Sequence, residues 1–86
     1  MKLRESDLTW QEIDEEIIVL DLRASSYLKL NGTGAHLWKQ LDAGADQPSL
    51  VESLLATYDV DRNTAWKDVD AFLRQLRKAE LLAGEA

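Results

Sequence analysis

The spacing of apolar residues along this chain changes period once, near Asn31. Before that point it is close to two and after it close to four, which predicts strands followed by helices. Leu8 to Ile13 reads as a first strand. Glu16 to Arg23 reads as a second, dominated by Ile17, Ile18, Val19, Leu20 and Leu22, and Ser26 to Leu30 as a short third. The breaks at Asp14-Glu15 and Ala24-Ser25 leave room only for hairpins, so the strands form an antiparallel meander. Neither break carries Asn-Gly or Asp-Gly, and the strand ends are correspondingly loosely set. Period two assigns Leu28 and Leu30 to the face that meets the helices and turns Tyr27 away from it. On the second strand Ile18, Leu20 and Leu22 make one set, and Ile17 and Val19 make the other with Asp21 and Arg23. Grouping Ile17 and Val19 with Tyr27 gives an apolar cluster on an outer face that should be polar. Such a cluster is either covered by the segment around Leu3 or marks a partner surface.

The helical half is better punctuated. Asn31 or Thr33 is available to cap a helix carrying Gly34, Leu37, Trp38 and Leu41, which Gly44 can close in a left-handed conformation. After Pro48, Ser49-Leu50-Val51-Glu52 fits a capping box for a second helix, with Leu50, Leu54 and Tyr58 on one face. Asp61 caps a third, whose core stripe is Ala65, Val69, Phe72 and Leu76; Leu81 and Leu82 fold back after it. Three strands and then three helices make an α+β fold of winged helix-turn-helix type.

Composition narrows the function. With 86 residues there is one core and no room for a second. Cysteine is absent, which removes disulfides, thiolate metal sites and thiol nucleophiles. The longest aliphatic run, Ile17 to Leu20, is far short of the ~20 residues of a membrane span, and the charged N-terminus lacks a signal region, so a soluble cytoplasmic protein is expected. Ten Lys and Arg against sixteen Asp and Glu give a net charge of −6, a poor basis for neutralising phosphates, so nucleic acid is not an expected partner. His36 is the only histidine and has no cysteine beside it, so no metal or cofactor is expected and it reads as a surface or packing residue. The carboxylates of Asp14-Glu15-Glu16 read as a solvated hairpin tip, and Gly32-Thr33-Gly34 lacks the third glycine of a dinucleotide loop. The chain is not expected to be an enzyme.

Two features remain. The third strand, Ser26-Tyr27-Leu28-Lys29-Leu30, is an edge of the meander with one charge and no proline, and a bare edge is a template for another chain. On the third helix Trp66 and Leu73 widen the core stripe along a line through Asp70 and Arg77. Facing each other, strand and helix make a groove suited to an extended peptide that adds as a fourth strand. Leu28 and Leu30 are expected to meet Trp66, Val69 and Leu73 across it, with Asp70, Arg74 and Arg77 on the rim.

Tyr27 to Trp38 resembles the central motif of the PqqD-like family: an aromatic, Leu-Asn, Thr, a small residue and an aliphatic-Trp pair. Asp68-Val69 followed by Phe72-Leu73 and Leu76 resembles its second motif, and Val60-Asp61 and Leu81-Leu82 also fit. The likeness runs from about Leu8 to Leu82; the one departure is Ala24-Ser25, where the family often has Gly-Gly. The resemblance implies a single PqqD-like peptide-recognition domain over residues 1–86, a non-catalytic RiPP recognition element. Such an element binds the leader of a ribosomally made precursor as an extra strand on Ser26–Leu30, and a chain of this size is similar to the leader-binding partner in lasso peptide pathways. It works with a separate leader peptidase and a cyclase, as a monomer or weak dimer, and Ile17 and Val19 would then dock the maturation enzyme or a second copy. The alternatives are a peptide chaperone for a radical SAM enzyme, as in pyrroloquinoline quinone synthesis, a winged-helix DNA-binding regulator, or an adaptor between two proteins.

Overall fold

The computed structural model describes residues 2–83; of the span expected to make one domain, Met1 and residues 84–86 lie outside the described residues. Strands β1 (Lys2–Leu3), β2 (Leu8–Ile13), β3 (Glu16–Asp21) and β4 (Ser26–Leu30) precede helices α1 (Gly32–Asp42), α2 (Gln47–Thr57) and α3 (Arg62–Lys78), and β5 (Leu82–Ala83) follows them. Strands β2, β3 and β4 form the expected antiparallel meander. The β2–β3 turn is two residues long, and Asp14 and Glu15 both take positive φ, 51° and 67°, the primed geometry that follows strand twist. Strand β3 ends two residues sooner than its apolar run suggests. Asp21 Oδ1 accepts from the Arg23 and Ala24 amides at 3.1 and 3.2 Å and pulls Leu22 and Arg23 into a four-residue turn.

Register corrects one expectation. In an antiparallel pair, residues directly opposite share a face. Ile17 stands opposite Leu30 and Glu12, and Val19 opposite Leu28 and Trp10. Ile17 and Val19 therefore face the helices, at 0 % and 1 % exposure, and cannot serve as a docking surface. The outer face carries the other set instead, with Leu20 at 44 % and Tyr27 at 72 % exposed and directly opposite each other, and a half-buried Ile18 two positions along β3 from Leu20. Strand β3 is apolar on both sides, so alternation alone does not choose between them; pairing with β4 does. Leu3 sits in the core and covers nothing on the outer face.

Helices α2 and α3 start at residues whose side chains accept a backbone N–H. Asp61 accepts from Thr64 N at 2.7 Å, as expected for α3. For α2 the cap is Asp46, accepting from Ser49 N at 2.9 Å, and not Ser49 itself. Pro48 then falls in the first turn, where a missing N–H leaves no helical bond unmade. Gly44, at φ 94°, ends α1 as expected. Ile17, Val19 and Leu30 from the sheet join Leu37, Trp38 and Leu41, Leu50, Val51 and Leu54, and Ala65, Val69, Phe72, Leu73 and Leu76 in one core. After α3 the chain turns at Glu80, buries Leu81 and pairs β5 with β1 in a small second sheet that the apolar pattern does not announce.

Candidate functional site

Strand β4 pairs with β3 along one edge and has no strand partner on its other edge among the described residues. Alternate residues of β4 therefore present main-chain donors and acceptors outward, which is what strand addition requires. Lys29 is drawn to Glu16 at 3.2 Å and Tyr27 stands on the outer face, so neither crosses the open edge. Beyond Leu30 the chain turns through Gly32, at φ 56°, into α1. There a cleft of about 280 Å³ opens, with Leu30, Thr33, Gly34 and Leu37 on one wall and Asp68, Ala71, Phe72 and Gln75 of α3 on the other. Its apolar floor and polar rim suit a side chain anchored by burial. Asn31 caps α1 by backbone position only, with no side-chain bond, so first-turn N–H groups stay available beside the cleft.

The structure divides the residues expected on α3. Val69 and Leu73 are fully buried in the core and lie beneath the groove, not on it. At about 3.6 residues per turn, Trp66, Asp70 and Arg77 run along one flank of the core stripe, while Asp68, Ala71 and Gln75 run along the opposite one. It is this second flank that meets Leu30. Trp66, 40 % exposed, does not line the cleft, and Asp70 pairs with Arg74 at 2.9 Å in an ordinary i,i+4 contact. Arg77 lines a different hollow with Arg4, Arg23, Glu80 and Leu82. Missed from sequence were Thr33, Leu37, Asp68, Ala71, Phe72 and Gln75. Gly34 next to Leu30 was the available clue, since an added Cβ there would touch Leu30 Cδ2 at 3.5 Å.

The remaining polar clusters are structural. His36 Nε2 lies 2.5 Å from Ser53 Oγ and its ring meets Tyr58 edge-on, which ties α1 to α2. Burial, helped by the Lys39 charge, lowers the His36 pKa. Arg4 donates to Asp21 at 2.5 Å, and that hydrogen bond holds the Asp21 carboxyl below its usual range. Among the described residues no group of three or more His, Cys, Asp or Glu side chains is arranged to hold a metal, and no helix is long and apolar enough to cross a membrane.

Residues 16–82 match a protein family described as coenzyme PQQ synthesis protein D (PqqD). Two solved structures share the fold of the chain. TbiB1 in complex with the TbiA(beta) leader peptide is 35% identical with a TM-score of 0.91, over 100% of this chain and 99% of that one. A lasso peptide synthetase B1 complexed with the leader peptide is 26% identical with a TM-score of 0.82, over 93% of each chain. No curated protein matches the chain.

Proposed function

The chain belongs to the PqqD family, and from that premise we propose that it captures the leader segment of a ribosomally made precursor peptide and presents it to separate maturation enzymes. The observation that carries this reading is the end-to-end likeness to two proteins whose structures hold a leader peptide. The open edge of β4 supplies the mechanism. A leader segment added there gains affinity from main-chain hydrogen bonds, which ask little of its sequence. Alternate side chains of an added strand point to one face, and those directed at α3 enter the cleft of Leu30, Leu37 and Phe72. Specificity comes from that burial.

In this reading the chain binds and does no chemistry; a leader peptidase and a lasso-type cyclase act on what it holds. The likeness to a lasso peptide synthetase B1 favours a lasso pathway over a radical-enzyme pathway. A DNA-binding role is disfavoured by the net charge of −6 and by Asp68 on the cleft flank of α3. The test is amide exchange of the full chain with and without a synthetic TbiA(beta) leader peptide, the ligand held by the 35% identical TbiB1. Saturating peptide should protect amides within Tyr27–Leu30 and leave the β2–β3 turn unchanged. Binding without protection of β4 would overturn strand addition.

A further inference from the structure

The eight residues that line the cleft between α1 and α3 include a single charge, Asp68. The composition of α3 does not lead to that arrangement. Its sequence carries five cations, Arg62, Lys67, Arg74, Arg77 and Lys78, against two acids, Asp68 and Asp70. At about 100° of rotation per residue, every one of those cations lies at least ~80° around the helix from Asp68. Ala71 and Gln75, which share the cleft wall with it, fall within about 60°. A helix rich in positive charge thus turns its one negative point toward the cleft.

Nearby cations are committed elsewhere. Arg62 is held by Glu52 at 2.6 Å and Arg74 by Asp70 at 2.9 Å. Lys39, the lysine of α1, is drawn to Glu12 at 3.0 Å, and Lys29 of β4 to Glu16 at 3.2 Å. From the opposite wall α1 contributes only Thr33, Gly34 and Leu37, none of them charged. Among the described residues no ion pair or hydrogen bond engages the Asp68 carboxylate. On an open surface that would be ordinary. Asp68 instead borders the apolar floor of Leu30, Leu37 and Phe72, where a bound peptide covers it and strips part of its water. That loss is unfavourable unless the peptide brings a donor or a positive charge to the same place.

The length of the wall fits two side chains. Asp68 and Gln75 mark its ends, about 10 Å apart at 1.5 Å of helix rise per residue. Residues two apart on an extended peptide share a face and stand ~6.7 Å from each other. One can therefore enter the apolar floor while its same-face neighbour reaches the Asp68 end. Resting on the leader-capture reading, we propose that Asp68 selects a lysine or arginine two residues from the apolar anchor of the leader. Such a side chain lays its methylene stem along the apolar wall and carries its charge to the rim. Asp68 stands at one end of the cleft only, so this pair also sets the direction and register of the added strand. Main-chain bonds alone would tolerate slippage.

The experiment is a selection of displayed random peptides on the full chain and on its Asp68→Lys variant, each checked for an unchanged urea midpoint. Both proteins should enrich the same apolar strand segment. The parent should add Lys or Arg two residues to one side of the anchor, and the variant should replace it there with Asp or Glu. A peptide selected on the parent should bind it about fivefold more tightly than its Lys→Gln counterpart at low salt, a gap that closes as salt is raised. That peptide pair is read on the parent alone, so the result stands even where the variant does not fold. A strand segment with no charge preference, or with the same preference on both proteins, overturns the role of Asp68 and leaves leader capture standing. Equal affinity of the peptide pair does the same. No strand segment from either protein overturns both.

Discussion

Leu73 and Ala71 sit two positions apart on α3 and do different work. Leu73 is fully buried, whereas Ala71 is exposed on the wall of the cleft. Leu73→Ala should lower stability by about 2–5 kcal/mol, because the void it leaves cannot refill, while peptide affinity per folded molecule is kept. Ala71→Glu should move the urea midpoint by no more than about 0.5 kcal/mol and weaken leader binding about tenfold by putting a charge against the apolar anchor. The apolar stripe of α3 was legible in the sequence because its period is a property of the helix. The flank that opens was not, because it depends on where the sheet comes to rest, and Trp66 is a large apolar residue on the wrong side. His36 shows a similar division. Its structural role follows from its isolation, but its partner Ser53 lies on another helix. Since the folded pKa is lowered from 6.5, the unfolded chain takes up the proton first as pH falls. Stability is therefore whole above about pH 6.5 and declines below it until the folded pKa is passed. Urea midpoints should fall between about pH 7.5 and about pH 5.5, and His36→Gln should flatten that fall. An equal fall in the variant would assign it to other groups.

At the scale of elements, boundaries came from polar breaks and faces came from pairing. The β2–β3 turn was placed correctly from Asp14-Glu15 although neither residue favours the left-handed conformation it adopts there. That conformation carries a cost, so Glu15→Gly should raise stability by about 1 kcal/mol, measured as a higher urea midpoint with unchanged denaturant dependence. The α2 cap was legible as a Ser-x-x-Glu signal but lay three residues earlier, since Asp46 reaches the Ser49 amide and the proline fits the first turn. The faces of β3 were beyond alternation, because Ile17, Ile18, Val19 and Leu20 give both sides apolar residues. Only the cross-strand pairs Ile17–Leu30 and Val19–Leu28 decide which side is inside.

For the whole molecule, the order of strands and helices was legible and the second sheet was not. Two-residue strands have no period to read, and β1 and β5 are nearly the full chain apart. They are held by Lys2 opposite Ala83, by Leu3 opposite Leu82, and by the Arg4 amide donating to the Leu81 carbonyl at 2.8 Å. Because the first and last described residues are neighbours in space, the fold is a ring in all but covalent bond. Its starting point can be moved. A circular permutant that links Ala83 to Lys2 through a short glycine-containing connection, and opens instead at the exposed loop of Ala43 and Gly44, keeps every strand pairing and leaves the β4 edge and the α3 cleft untouched. It should fold with a urea midpoint near that of the parent and bind the same leader. Loss of folding on opening that loop would show that α1 and α2 must be joined in sequence for the core to assemble.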